Sequence, residues 1–334
     1  MVSFLIKRIL AMVPVFVLIA FVSFGMVSLY PGDFYTQYML GAAMVEGGLE
    51  WIDAMRLQRG LDQPWIVQFW VWFEGVITKG DLGISFATNG SVTKYLFRDT
   101  RNLYWTLIIT GSSMVIAWLI GIPLGILSAA RRRRLLDHVI SAWSYFWISI
   151  PGYVFGACVL VFVAKFVNPL LRGAGVWGLL DPWYRDAPFS VAKLFNYLWH
   201  LWPAWLIVGA PMFASITRHL RVSLIDTFSA AYMSTARGKG LGERQVLFKH
   251  ALRNAMNPLV SMFGMMIPTL ITGSILATQA LGLPTFGAIF IQAVKAQDQH
   301  VITAALLFYG TIMMLGNVFG DILLAAIDPR IRYS

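Results

Sequence analysis

The strongest constraint on the fold is a set of six long stretches that contain no Asp, Glu, Lys or Arg. The stretches are 9–32, 102–130, 138–164, 194–217, 254–294 and 299–320. Each has at least about 20 residues, which is enough for an α-helix to cross the hydrocarbon core of a bilayer. Only 13% of the residues are charged and 58% are hydrophobic, whereas soluble domains usually have about 25% and about 45–50%. The pattern excludes a water-soluble monomer and predicts an all-α polytopic membrane protein with six transmembrane helices.

The chain divides into three parts on this interpretation. The first transmembrane helix occupies 1–30, a long extracytoplasmic segment occupies 31–100, and the remaining five helices lie in 101–334. Lys7 and Arg8 precede the first apolar run as they would in a signal peptide. That run is about 22 residues long and no small-residue cleavage site follows it, so we interpret it as an uncleaved span.

The stretch 254–294 is too long for one crossing and too short for two with a turn between them. Pro268 and the Leu283-Pro284 step interrupt it. Proline disrupts a helix because it lacks the backbone N–H and clashes with the preceding turn. We therefore expect one span near 256–279, followed by a short outward-facing helix that begins at Pro284.

Basic residues collect on one side of the predicted membrane. With six spans both termini lie on the same side, and Arg131–Arg134 and Arg218–Arg253 lie on that side with them. The whole net charge of +10 then falls on one side, which is the positive-inside pattern. We expect both termini in the cytoplasm. The arginine run behind a span is interpreted as a topology anchor at the bilayer, and no nucleic-acid partner is expected.

The sequence contains no recognisable catalytic, metal or nucleotide site. Its five His residues have neither His-x-x-x-His nor His-Glu spacing, and no Gly-x-Ser-x-Gly motif is present. Arg237–Gly242 is rich in glycine but lacks the hydroxyl residue that holds Mg²⁺ in a phosphate loop. An ion-coupled secondary carrier and a membrane enzyme stay as alternatives. The scarcity of ionisable residues in the spans disfavours the first, and the lack of a catalytic dyad disfavours the second.

A basic, amphipathic segment, 218–255, lies between the fourth and fifth spans. Ala230–Arg237 predicts a short helix, Gly238–Gly242 predicts a turn, and Glu243–Ala255 predicts a second helix. The apolar stripe of the second helix comprises Leu247, Ala251 and Ala255, with Phe248 and Leu252 beside it. Two interpretations stay open from the residues alone. The segment is either a helix on anionic lipid or a helix-turn-helix that docks in a groove of a partner protein.

The same segment resembles the EAA loop of ABC importer permeases. Ala236, Gly240 and Leu252 match its general pattern. The departures from the general form are Ser234, Thr235, His250 and Arg253. The stretches 235–241 and 250–255 are similar to the oligopeptide/dipeptide/nickel branch of the family. Further matches to that branch, in the expected order, are Pro31-Gly32-Asp33, Gly60-Leu61-Asp62-Gln63-Pro64, Gly80-Asp81-Leu82-Gly83, Gly121-Ile122-Pro123-Leu124-Gly125, Ser149-Ile150-Pro151 and the closing Asp328-Pro329-Arg330-Ile331-Arg332-Tyr333-Ser334.

This resemblance implies a type I ABC importer permease fold with a cytoplasmic EAA coupling helix, in a bacterial or archaeal inner membrane. It implies as partners a homologous second permease subunit, two ABC ATPase subunits, an extracytoplasmic solute-binding protein and the lipid bilayer. No cofactor is expected in this chain, because the ATPase subunits would bind ATP and Mg²⁺. The segment 31–100 would form an extracellular scoop. The residues expected to couple to the ATPases are Ala230, Ala231, Ser234, Thr235, Ala236, Arg237, Lys239, Gly240, Leu241 and Glu243.

The substrate expected from the resemblance is an oligopeptide-class solute, either a peptide or an oligosaccharide. Peptide-type members often have an acidic residue near Thr278 and a proline where Phe34 stands, so both departures weaken the peptide assignment. Small and hydroxyl-bearing residues of the fifth span are candidates for the translocation path, and close helix packing is the alternative explanation. These candidates are Thr272, Gly273, Ser274, Thr278 and Gln279.

Overall fold

The computed structural model describes residues 2–97, 100–167 and 175–327. The closing motif at 328–334 lies outside these residues. The chain forms two compact units: one comprises Met1–Leu103 and Phe286–Met314, and the other comprises Tyr104–Thr285 and Leu315–Ser334. The described residues are mostly helical and contain no β-strand, only one isolated bridge between Ile84 and Ser91. The prediction of an all-α chain is confirmed.

Fifteen α-helices occur in the described residues. In chain order they are α1 Val2–Ser28, α2 Met39–Ala42, α3 Gly48–Gln58, α4 Trp65–Lys79, α5 Val92–Phe97, α6 Arg101–Ala130, α7 Leu135–Ser149, α8 Gly152–Phe162, α9 Val191–Phe228, α10 Ala231–Gly238, α11 Glu243–Gln245, α12 Leu252–Ala255, α13 Asn257–Leu281, α14 Phe286–Ala296 and α15 Gln299–Ile327. Two π-helical stretches, Val163–Val167 and Val246–Ala251, continue α8 and α11.

Four of these helices are long and apolar enough to cross a membrane, and they coincide with predicted spans. They are Ile6–Ser28 in α1, Arg101–Ala130, Asn257–Leu281 and Gln299–Leu323 in α15. A bent pair formed by α7 and α8 is the fifth candidate. The predicted span 194–217 lies inside α9, which has 38 residues and contains Pro203 and Pro211, but α9 is not among these candidates. The count of six therefore stays a prediction.

The predicted third span is broken rather than continuous. Leu135–Ser149 and Gly152–Val167 meet at an angle of 96°. Ile150 has extended backbone angles at the break, as expected for the residue before a proline, because the ring of Pro151 disfavours a helical conformation there. The Ser149-Ile150-Pro151 motif is the physical cause of the bend.

α6 and α9 approach each other closely in the larger unit. Ser113, Ala117, Gly121 and Gly125 form a buried small-residue stripe on α6 at intervals of four. A Cβ atom at Gly121 would lie 3.0 Å from the carbonyl oxygen of Phe213 on α9. The Gly121–Gly125 motif therefore lets two backbones approach, as small residues do in other transmembrane helix pairs.

The unit formed by Met1–Leu103 and Phe286–Met314 has an aromatic core between α1 and α4. Phe24 is fully buried against Phe69 and Trp72, and the Phe24 and Phe69 rings meet edge to face with their centroids 5.7 Å apart. α4 is amphipathic, with Phe69, Trp72 and Phe73 buried on one face. One face packs on α1, whereas Trp70 is more than half exposed.

Candidate functional site

The segment that resembles an EAA loop forms two short helices joined by a tight turn. α10 follows α9 after only two residues. Gly240 has a φ of +77°, a left-handed conformation that glycine adopts freely because it has no Cβ atom. The second helix begins at Glu243 and runs through α11, the π-helical stretch and α12 to Ala255. The structure thus forms the predicted helix, turn and helix.

Five apolar side chains anchor this helix-turn-helix in the core of its unit. Met233, Val246, Ala251 and Ala255 are fully buried and Ala236 is nearly so. Met233 and Ala236 lie three residues apart on the inner face of α10, a spacing from which sequence analysis could have identified the anchor. The opposite face of the segment is exposed, for example at Ser234 and Lys239.

The buried face of the second helix differs from the prediction by one position. Ala251 and Ala255 are buried as expected and Leu247 packs partly on the core, but Phe248 is 52% exposed and Val246 takes the inner position. The π-helical stretch Val246–Ala251 explains the difference. Its hydrogen bonds span five residues rather than four and so shift the helical register.

The predicted coupling residues lie mainly on the outer face. The exposed members are Ala231, Ser234, Thr235, Arg237, Lys239, Gly240 and Glu243, the half-buried ones are Ala230 and Leu241, and Ala236 is buried. A shallow surface depression lined by Arg244, Gln245, Phe248 and Lys249 follows on the second helix. The segment therefore presents a mixed polar, basic and aromatic surface.

Two polar contacts tie the helices of the segment together. Arg237 Nε lies 2.9 Å from Glu243 Oε1, which joins the end of α10 to the start of α11. Asn254 Nδ2 donates to Tyr232 Oη over 2.8 Å. Both contacts are at the surface, so each adds only modestly to the stability of the segment.

The five path candidates on α13 fall into two groups. Gly273, Ser274 and Thr278 are buried, whereas Thr272 and Gln279 are exposed and share one helix face because they lie seven residues apart. A Cβ atom at Gly273 would lie 3.2 Å from the backbone of Val208 on α9. Close packing therefore explains Gly273.

The two buried hydroxyl groups on α13 are hydrogen-bonded within their own unit. Ser274 Oγ donates to the carbonyl oxygen of Ile271 over 2.7 Å, and Thr278 Oγ1 donates to that of Ser274 over 2.8 Å. Thr278 also contacts the hydroxyl of Thr285. These contacts hold the two hydroxyls in the protein core, so Thr272 and Gln279 are the better path candidates.

The Pro31-Gly32-Asp33 motif has a structural role that sequence analysis did not identify. Asp33 accepts two hydrogen bonds from Arg56 on α3, from Nε over 2.9 Å and from Nη2 over 3.0 Å, and a further one from the Thr36 backbone. Burial alone would raise the pKa of Asp33, but the hydrogen bonds from Arg56 and Thr36 hold the pKa below its ordinary value. The carboxylate fixes the start of the 31–100 segment.

No metal centre is evident in the part of the chain that the structure describes. Within residues 2–97, 100–167 and 175–327, no group of three His, Cys, Asp or Glu side chains lies close enough to hold a metal ion. The exposed face of the helix-turn-helix is the candidate functional site.

Comparisons with known protein families cover nearly the whole chain. Residues 121–333 match the family described as the binding-protein-dependent transport system inner membrane component. Residues 1–111 match the family described as the N-terminal region of the membrane component of such systems. The first of these matches includes the helix-turn-helix and the fifth predicted span.

Individual relatives match over their full length. The chain is 32% identical over 334 residues to the oligopeptide transport system permease protein AppB of Bacillus subtilis strain 168. It is also 32% identical over 334 residues to the glutathione transport system permease protein GsiC of Escherichia coli strain K12. Both matches cover 100% of each chain.

A solved structure of the MetNI methionine ABC transporter in an inward-facing conformation contains a chain of similar fold. The TM-score is 0.54 at 20% sequence identity, and the match covers 71% of this chain and 98% of the other. At that identity the likeness shows the fold alone.

Proposed function

The chain belongs to the family of binding-protein-dependent transport system inner membrane components, so it is a permease subunit of an ABC importer and not an enzyme, and we propose that it moves a peptide-class solute inward in an ATP-driven cycle. Its helices have the type I ABC importer permease fold. As a multi-pass inner-membrane protein of this family it works with ATPase and solute-binding-protein partners. The proposed complex contains one homologous permease and two ATPase subunits.

The exposed helix-turn-helix is the observation that carries this proposal. It joins α9 directly, and its anchors Met233 and Val246 are fully buried in the core of that unit. A displacement of the outer face at Ser234 or Lys239 would therefore be transmitted to the packed core around α9, because the segment is not a flexible loop. In the proposed cycle, the ATPase subunits bind ATP and Mg²⁺ and close, and the helix-turn-helix passes that motion to α9.

A peptide is the proposed solute because the relatives named above are oligopeptide and glutathione permeases. Thr272 and Gln279 provide exposed hydrogen-bonding groups on one face of α13, as a path for a polar, hydrated solute requires. An oligosaccharide would also use such groups, so it is the second outcome that the transport test must distinguish.

The proposed orientation places both termini and the helix-turn-helix in the cytoplasm. Arg131–Arg134 and the basic segment 218–255 then lie on the cytoplasmic side, as the positive-inside pattern requires. This orientation also puts the docking surface where ATP is available.

The test is uptake by the complete importer in proteoliposomes. The chain, its sister permease, its ATPases and its binding protein are reconstituted together and supplied with a labelled tripeptide or a labelled trisaccharide. We expect peptide uptake that requires ATP and stops when an ATPase subunit lacks its phosphate-loop lysine. Uptake driven by a proton gradient without ATP would support an ion-coupled carrier instead, and ATP-driven uptake of the trisaccharide alone would replace the peptide assignment.

A further inference from the structure

The four consecutive arginines between α6 and α7 form an exposed turn. Arg131–Arg134 begin directly after the last residue of α6 and end directly before α7, and all four are exposed. None of the four side chains forms an ion pair with any residue that the structure describes. Four positive charges are therefore available to a ligand at the end of an apolar span.

One backbone position in this turn is held in an unfavourable conformation. Arg133 has a φ of +63°, a region that residues with a Cβ atom seldom occupy because the Cβ atom crowds the backbone. Such a conformation persists only where surrounding contacts enforce it. Contacts with neighbouring residues therefore hold the turn in this conformation.

The contact that enforces this shape is centred on Asp137, whose side chain is buried. One carboxylate oxygen accepts a hydrogen bond from the Arg133 backbone N–H over 2.8 Å, and the other accepts from Ser128 Oγ over 2.5 Å. Arg221 of α9 binds both oxygens, with Nε at 2.6 Å and Nη2 at 2.8 Å. The charge of Asp137 is therefore paired with Arg221 and does not neutralise the arginine turn.

Large exposed apolar side chains flank the turn along the chain. Leu135 is 80% exposed, and Leu127 and Val139 are also exposed. An exposed basic cluster beside exposed apolar residues at the end of a span is the arrangement that binds both parts of a phospholipid. An acidic protein surface would satisfy the arginines but would leave these leucines and the valine without apolar contact, so the combination favours lipid.

We propose that the Arg131–Arg134 turn is a binding site for the phosphate headgroups of anionic phospholipids, with Leu127, Leu135 and Val139 against the acyl chains. Asp137 is the positioning residue, because it holds the turn in its strained shape. The site selects lipid by charge, so phosphatidylglycerol binds in preference to phosphatidylcholine.

The experiment compares bound lipids after purification of the full chain, with its sister permease, in equimolar phosphatidylglycerol and phosphatidylcholine. Native mass spectrometry gives the ratio of the two lipids retained. We expect the R132Q/R134Q variant to lower the phosphatidylglycerol preference by about fivefold for each arginine removed. The matched control is K79Q/R185Q, which removes two exposed positive charges elsewhere and should leave the ratio unchanged.

Further variants separate charge, position and lipid. R132K/R134K keeps the charges and should keep most of the preference, and D137N keeps all four arginines but should weaken it by releasing the turn. Inorganic phosphate, added at the concentration of the lipid headgroups, should not displace phosphatidylglycerol, because phosphate lacks the acyl chains that contact the apolar side chains.

Three results would overturn the proposal. The first is an unchanged lipid ratio in the R132Q/R134Q variant when that variant is as stable as the parent chain. The second is displacement of the lipid by inorganic phosphate alone. The third is loss of ATPase subunits, with the lipid preference intact, in R132Q/R134Q of the complete complex, which would reassign the turn to a protein contact. An unchanged ratio in D137N would remove the positioning role from Asp137.

Discussion

Arg237 and Glu243 form an ion pair across the Gly240 turn, with Arg237 Nε 2.9 Å from Glu243 Oε1. The pair connects the end of α10 with the start of the second helix. Its side chains are 42% and 74% exposed, so solvent screens their attraction and the pair contributes less than about 1 kcal/mol. The turn is therefore held chiefly by the backbone conformation of Gly240 and by the buried anchors on either side.

Gly240→Val is expected to uncouple ATP hydrolysis from transport. A Cβ atom at this position meets no neighbour within 4 Å, but the φ of +77° is strained for any residue with a Cβ atom. The strain should cost about 1–2 kcal/mol or more for a β-branched residue, which would tilt the two helices apart. The measurement is solute uptake per ATP hydrolysed, together with co-purification of the ATPase subunits.

Gly242 provides a matched control for Gly240. A Cβ atom there also meets nothing within 4 Å, and its φ of −64° suits an ordinary residue. Gly242→Val should therefore couple normally. Normal uptake by Gly240→Val would remove this turn from the coupling mechanism, and equal damage from both variants would show that added bulk at the surface is responsible.

Reversing one charge of the surface pair should have a smaller effect than changing the turn. Glu243→Arg places a positive charge beside Arg237 at the start of a helix, where the helix dipole already disfavours it. We expect a two- to fivefold fall in coupled uptake, equivalent to about 0.4–1 kcal/mol. The double variant Arg237→Glu/Glu243→Arg should recover part of the lost uptake if the ion pair itself matters. No recovery would indicate that the ATPase surface contacts each charged side chain separately.

Close packing of α6 on α9 makes Gly121 sensitive to substitution. A Cβ atom there would lie 2.8 Å from Ile216 Cγ2 and 3.0 Å from the carbonyl oxygen of Phe213. Because backbone blocks one side, Gly121→Val should lower stability by about 1–3 kcal/mol. Thermal unfolding in detergent measures the loss.

Gly111, on the same helix, is the control for Gly121. A Cβ atom at Gly111 meets nothing within 4 Å, and alanine has the higher helix propensity by about 0.8–1.0 kcal/mol. Gly111→Ala should leave the melting temperature unchanged or raise it. A Gly121→Val protein that melts like the parent chain would contradict the tight helix pair.

The membrane orientation can be tested with single cysteines in a Cys158→Ser background, since Cys158 is itself exposed. Asp186 and Ser229 are exposed in the structure, and the charge pattern places them on opposite sides of the membrane. An impermeant thiol reagent should label Asp186→Cys in intact cells or spheroplasts. Ser229→Cys should react only after permeabilisation, and its labelling from outside would refute the six-span orientation.

Local sequence signals were sufficient for the helix-turn-helix, but contacts between distant residues were not predictable. Gly238–Gly242 predicted the turn because backbone preference acts within a few residues. The inner position of Val246 depends on a π-helical stretch, which hydrophobic spacing does not reveal. Asp137 and Arg221 lie 84 residues apart, and no pattern in either neighbourhood predicts that they meet.

The broken third span also shows that local signals are predictable from the sequence and that packing geometry is not. Pro151 is visible in the sequence and predicts a weak point in a helix. The motif predicts a break but not its angle, which is 96° in the structure. α8 also packs closely on α13, where a Cβ atom at Gly156 would lie 2.6 Å from Ala280 Cβ. Sequence analysis therefore located this apolar stretch but not the bend within it.

The exposed polar face of α13 provides a test of the translocation path. Thr272 and Gln279 share that face, whereas Thr278 is buried and donates to the carbonyl oxygen of Ser274. If Gln279 binds the passing solute, Gln279→Leu should raise the KM of peptide uptake by about three- to tenfold through the loss of a hydrogen bond, with no change in melting temperature. Thr278→Val should instead lower the melting temperature and have little direct effect on the KM of peptide uptake. Uptake kinetics and thermal unfolding measured on both variants separate the two roles. An unchanged KM in both Gln279→Leu and Thr272→Val would exclude this face of α13 from the path.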